Sequence, residues 1–166
     1  MSVLNDDEPA MWATPQDRQK YCDVLNNLVR SAGRSARDHG FHERFEDLQY
    51  DYGAGHLTTR GYVARLNSEL STSLMMAVGE LVEAQDELRS GTAPLGDRAD
   101  VAPGDAPHGF RVELVDALIR ILDLLYVTNR YAPPSDDALV PPSAGALLVD
   151  KMTYNASRPV MHGKVF

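Results

Sequence analysis

The chain has 166 residues, 43% of them hydrophobic and 24% charged, a composition inside the globular range and a length suited to one core. Sixteen Lys and Arg against 24 Asp and Glu leave a net charge of −8, which sets the surface against phosphate backbones and anionic lipid and excludes a general nucleic-acid coat or membrane-surface protein. Cys22 is the one cysteine, no signal-peptide pattern opens the chain, and no apolar run approaches the ~18 residues that span a bilayer, so the sequence reads as cytoplasmic.

Residues 1–14 carry acids and Pro9 without periodicity and read as a flexible arm; residues 15–166 read as a single domain. Thr14-Pro15-Gln16-Asp17 combines a hydroxyl cap, a first-turn proline and an acid, and predicts a helix from Pro15 to about His39. Its apolar stripe is Tyr21, Val24, Leu25, Leu28, Ala32 and Ala36, and Gly40-Phe41 predicts a left-handed cap. Residues 41–59 mix aromatics, acids and breakers and predict an irregular connection with one helical turn over Glu43 to Leu48. The steps of three and four through Val63, Leu66, Leu70, Leu74, Ala77, Leu81, Ala84 and Leu88 predict the longest helix, from about Arg60 to Arg89. A loop rich in Gly and Pro over 90–108 follows. Phe110, Leu114, Ala117, Leu118, Ile121 and Leu125 then define a third helix, ending before Pro133-Pro134. After a second loop, Ala144 to about Ala156 predicts a fourth, with an extended tail behind it. No strand-length alternation occurs, so the class is all-α with four main helices.

Two acidic pairs sit at i and i+3, Glu80 with Glu83 and Glu113 with Asp116, each on one face of its helix. Helical turns are ~5.4 Å apart, so two such helices packed antiparallel can aim four carboxylates at one point. Carboxylates ~5 Å apart repel by about 3 kcal/mol at an effective dielectric of ~20, and a cation turns that cost into attraction. All-oxygen donors suit Mg²⁺, with Mn²⁺ as the alternative. A di-iron centre is excluded by the lack of a Glu-x-x-His pair in either helix. His39-x-x-His42 lacks a third zinc ligand, and no Gly-rich loop ends in Gly-Lys-Ser/Thr. The end of the chain reverses the local charge: Lys151, Arg158 and Lys164, with Asn155 between them, form a segment suited to an anion. A carboxylate cluster together with a cationic tail suggests a polyphosphate ligand.

Glu80-x-x-Glu83 followed by Glu113-x-x-Asp116 resembles the metal-binding signature of the MazG-like nucleotide pyrophosphohydrolases, of the all-α NTP pyrophosphatase superfamily. The closing stretch from Lys151 to Phe166 is similar to the tail of MazG-like proteins encoded by phages and actinobacteria. The resemblance implies a helical bundle whose core is completed by a homodimer or higher homo-oligomer. It also implies hydrolysis of a nucleoside triphosphate, a dNTP by preference, to the monophosphate and pyrophosphate with Mg²⁺. In a phage pathway to modified bases, acting in the host cytoplasm, dGTP is one candidate substrate. On this footing Glu80, Glu83, Glu113 and Asp116 hold the metal and one glutamate polarises the attacking water. Lys151, Asn155, Arg158, Lys164 and Arg120 contact phosphates or sugar, and His39, Phe41 and Tyr50 are candidates to seat the base. Neither nucleic acid nor membrane is an expected partner. The competing expectation is a catalytically silent helical protein that binds nucleotides or serves as a scaffold.

Overall fold

The computed structural model describes residues 14–91, 108–133 and 142–157. It is all-α, with five helices in the order α1 (Pro15–Asp38), α2 (Glu43–Gly53), α3 (Thr59–Arg89), α4 (Phe110–Arg130) and α5 (Ala144–Ala156), and no strand among the described residues. Four of these fall where the periodicity places them. None of the described helices is long and apolar enough to cross a membrane.

The local signals act as their chemistry requires. The Thr14 hydroxyl accepts from the Asp17 amide at 3.1 Å, opening α1. At its other end Gly40 takes φ +83°, and the amides of Gly40 and Phe41 bond back to the carbonyls of Arg37 and Ala36, the paired bonds of a Schellman cap. Thr58 and Ser143 cap α3 and α5, accepting from Gly61 and Ala146.

The expected irregular connection over 41–59 is corrected: α2 is an 11-residue helix, the fifth in place of four. Phe45, Leu48 and Tyr52, at steps of three and four, face inward from it, while the acids and Tyr50 that obscure this spacing face outward. Gly55, at φ +77°, lies in the turn that follows it.

The chain divides into two compact units. One contains the described residues up to Val29 and those from 142 onward, and so the first part of α1 with α5. Here Asn26 turns its amide to α5, its oxygen accepting from the Gly145 amide at 2.9 Å and its nitrogen donating to Ser143 Oγ at 3.2 Å. Arg18 pairs with Asp150. Gly145 lies directly on the Cys22 backbone, where a Cβ would stand 2.3 Å from the Cys22 carbonyl oxygen.

The other unit spans Arg30 to the end of α4. Its helices α3 and α4 pack antiparallel, since Tyr62 early in α3 meets Tyr131 just past α4 and Glu80 late in α3 meets Arg120 in mid-α4. The core joins Phe45 and Leu48 of α2 to Tyr62, Leu66, Val127 and Tyr131. The Tyr62 hydroxyl, fully buried, donates to the Tyr131 carbonyl at 2.6 Å. The predicted stripes are only partly inward: Leu66, Ala77, Ala84 and Ala117 are buried, whereas Leu74, Leu81, Leu114, Leu118 and Ile121 remain exposed. In α1 likewise Val24 and Leu28 are exposed, and Cys22 and Val29 take the buried positions.

Candidate functional site

The antiparallel pairing of α3 and α4 brings the end of one helix to the start of the other, and with them the two acidic motifs. Glu80, Glu83 and Glu113 each offer a carboxylate oxygen, and these atoms lie within 4.8 Å of one another. Glu80 and Glu113 are half-buried and Glu83 is exposed. Asp116 is not in this triad. It lines a cavity of about 330 Å³ together with Glu80.

The electrostatics follow from that crowding. Burial, then the charges of Glu83, Asp116, Glu80 and Glu87, push the Glu113 carboxyl above the usual glutamate range. Glu87, one turn beyond Glu83, thus belongs to the same negative field. Arg120 supplies the local counter-charge, donating through Nε to Glu80. Asp123, one turn beyond Arg120 on α4, is held by His42.

The raised Glu113 carboxyl carries a pH signature. Below the ordinary glutamate pKa of about 4.3 the residue is protonated in both folded and unfolded chains and costs nothing. As pH rises through that value toward the higher folded one, the unfolded chain gives up its proton first, so stability falls and stays lowered at neutral pH. Glu113→Gln is therefore expected to melt higher than the parent at pH 7.5 in EDTA and to lose that advantage near pH 4. Paired thermal melts at the two pH values check this, and an advantage that is absent at pH 7.5 refutes it.

As a donor set the cluster fits a hard divalent cation. Every contributing atom is a carboxylate oxygen, the oxygens are already close, and their mutual repulsion is only partly offset by one guanidinium.

The cavity also collects residues from the end of α1 and the turn beyond it. His39 and Phe41 line it with Arg44, Ser73, Met76, Ile119, Arg120 and Asp123. His39 is oriented by a 2.7 Å contact from Nδ1 to the Ser35 carbonyl. Of the three candidate base-seating residues, His39 and Phe41 thus share the cavity with Glu80, Asp116 and Arg120. Tyr50 is 72% exposed on α2 and does not line it.

Lys151 and Asn155 are exposed on α5, the former with its ammonium 5.2 Å from the Tyr154 ring centre. Arg158 and Lys164 lie outside the described residues, as do the arm before Thr14 and most of the 90–108 loop.

Spacing does not reveal the pairing of His42 with Asp123, nor the place of Arg44 beside the cavity. His42 is fully buried, stacked on Tyr126 with centroids 5.8 Å apart and edge-on to Phe45 and Tyr131. Its Nε2 bonds to Asp123 Oδ1 at 2.8 Å. These two are 81 positions apart, so no spacing rule joins them. Arg44 donates to Ser73 and lies 3.3 Å from Glu69. No family model matches the chain, and neither a curated protein nor a solved structure matches it.

Proposed function

We propose that this chain is a divalent-cation-dependent nucleoside triphosphate pyrophosphohydrolase of the MazG-like type, which splits a (d)NTP into the monophosphate and pyrophosphate and so controls a nucleotide pool. The observation that carries the reading is the acidic triad's adjacency to a cavity: Glu80 belongs both to the cluster and to the lining of a space large enough for a small ligand. Carboxylates at i and i+3 are common on solvated helices. A convergent set beside a cavity lined by apolar, acidic and basic side chains is a better candidate for chemistry.

Glu80, Glu83, Glu113 and Asp116 would hold Mg²⁺ or Mn²⁺. When bound, the ion supplies charge neutralisation at the phosphate oxygens and acidifies water. The chain's own residues have separate tasks. A glutamate of the cluster accepts the proton of the attacking water as the α–β anhydride bond breaks. Arg120 donates to phosphate oxygens. Met76, Ile119 and Phe41 give the cavity an apolar wall, and His39 and Phe41 face the base. Lys151, Asn155, Arg158 and Lys164 stand, on the resemblance alone, as the further candidates to contact phosphate or sugar.

Association of two or more copies belongs to the same proposal. Leu74, Met75, Val78, Leu81 and Val82 of α3 and Leu114, Val115, Leu118 and Ile121 of α4 are exposed, more large apolar side chains than a solvated helix pair ordinarily displays. A second copy covering them would complete a bundle core.

The test is direct. The chain is incubated with each of the eight common ribo- and deoxyribonucleoside triphosphates and Mg²⁺, and products are separated by ion exchange. Monophosphate and pyrophosphate in equal amounts, from a species that elutes as a dimer or larger, are expected. No product from any nucleotide refutes the activity and leaves the silent-binder alternative.

A further inference from the structure

One member of the acidic triad already has a positively charged partner. Glu80, its side chain only 12% exposed, accepts from Arg120 across the packing of α3 on α4, 40 positions away in sequence. The bond runs from Nε to Oε1, a single point and not the two-pronged grip that a guanidinium can give a carboxylate. A charge so little exposed is costly without a partner, and in the cation-free protein Arg120 fills that need. Arg120 itself is less confined. Its side chain is 36% exposed, it lines the cavity, and Asp123, three residues further along α4, lines the same space and already feels its charge.

We infer that Arg120 is a built-in stand-in for the divalent ion, an autoinhibitory contact that must leave Glu80 before the triad can close on a cation. A hard divalent ion sits about 2.1 Å from a carboxylate oxygen, so a guanidinium bonded to the same carboxylate would face it as a like charge within roughly 5 Å. Beside a carboxylate that water scarcely reaches, little screens that repulsion. Glu80 therefore serves one cation at a time. When Glu80 turns to the ion, Arg120 is released beside Asp123 into the cavity, and its full set of donors becomes available to an anion. Cation and anion then favour each other's binding, because the first takes Glu80 from Arg120 and the second takes Arg120 from Glu80. The inference describes the regulation of the proposed cation site and rests on that reading.

The test is a titration of the full chain with Mg²⁺ alone, in a phosphate-free buffer, followed through the arginine Nε–H resonances, with that of Arg120 assigned by its loss in Arg120→Lys. Before Mg²⁺ is added the Arg120 Nε–H is expected to be displaced from the free-arginine position and slow to exchange with solvent. Mg²⁺ is expected to return it to that position, at the midpoint reported by the amides of Glu83 and Glu113. Mn²⁺ binding gives a second readout, in which Arg120→Gln is expected to bind about tenfold more tightly than the parent. Arg89→Gln removes an equal charge from the end of α3, where Arg89 pairs with Asp86 at 3.1 Å, and is expected to change affinity by less than about threefold. A guanidinium that only orients Glu80 for the ion predicts the reverse, weaker binding once it is gone. Arg120 still bonded to Glu80 at saturating Mg²⁺, or Arg120→Gln binding no tighter than Arg89→Gln, overturns the inference and leaves the cation site standing. Uptake by Arg120→Gln alone supports it in its strongest form. Should that variant fail to fold, the parent's Nε–H resonance decides. Absence of binding in parent and variants alike removes the cation site, and the inference with it.

Discussion

Glu83→Gln and Asp116→Asn are each expected to lower pyrophosphate release by about a hundredfold or more while the cation-free protein melts no lower than the parent. The two effects have one origin. Both substitutions keep size and shape nearly constant and remove one negative charge from a site with several, so a divalent ion loses a ligand and much of its attraction, with effects of ~10²–10³ typical when a charge-stabilising group is removed. Without the cation the same charges only repel. Glu83 is exposed in the triad, and Asp116 is among the charges that raise the Glu113 carboxyl, so neutralising either relieves the cluster. Full activity in both variants would show that these carboxylates hold no essential ion. Lost activity with a collapsed melting curve would instead mark them as structural.

Gly145→Ala is expected to destabilise the chain by about 3 kcal/mol, the upper end for an added methyl in a packed contact. A Cβ at this position would meet the Cys22 backbone, with the carbonyl oxygen at 2.3 Å and Cα at 2.6 Å, and backbone inside a helix cannot step aside. Gly33→Ala meets a different obstacle, the Tyr126 ring, with Cγ 2.0 Å from the added carbon. That ring is tied to its stack with His42, so moving it also disturbs the core. Gly79→Ala is the control, with nothing within 4 Å on mid-α3, and should gain up to about 1 kcal/mol from helix propensity alone. Urea unfolding of the three variants checks the ranking. Equal midpoints for Gly145→Ala and Gly79→Ala would mean that the α1 and α5 backbones are not in close contact.

Wherever the signal is local, the sequence is a good guide to the fold. Thr14-Pro15 and Gly40-Phe41 mark both ends of α1 because a cap depends on neighbours in the chain and on little else. The bounds of α3 and α4 follow from unbroken three-and-four spacing between turn-forming stretches, and those of α5 from the breakers on either side of it. α2 is missed because Phe45, Leu48 and Tyr52 carry its whole inward face and the acids between them dilute the pattern over so short a helix. Which apolar residues are buried is less legible, since periodicity shows that a face exists but not what covers it; Leu74, Leu81 and Leu118 lie on predicted stripes and are exposed. At the candidate site, the convergence of Glu80, Glu83 and Glu113 follows from two motifs and one antiparallel packing. The link from His42 to Asp123 and the cap that Asn26 provides for α5 depend on tertiary placement and leave no trace in spacing.

Cys22, the chain's sole thiol, is buried where α1 meets Gly145. Two folded copies of this sequence therefore have no accessible thiol with which to cross-link, and an assembly formed through α3 and α4 would be held by noncovalent forces. Such an assembly needs no disulfide through Cys22, and its strength is set by concentration and temperature, as hydrophobic association requires.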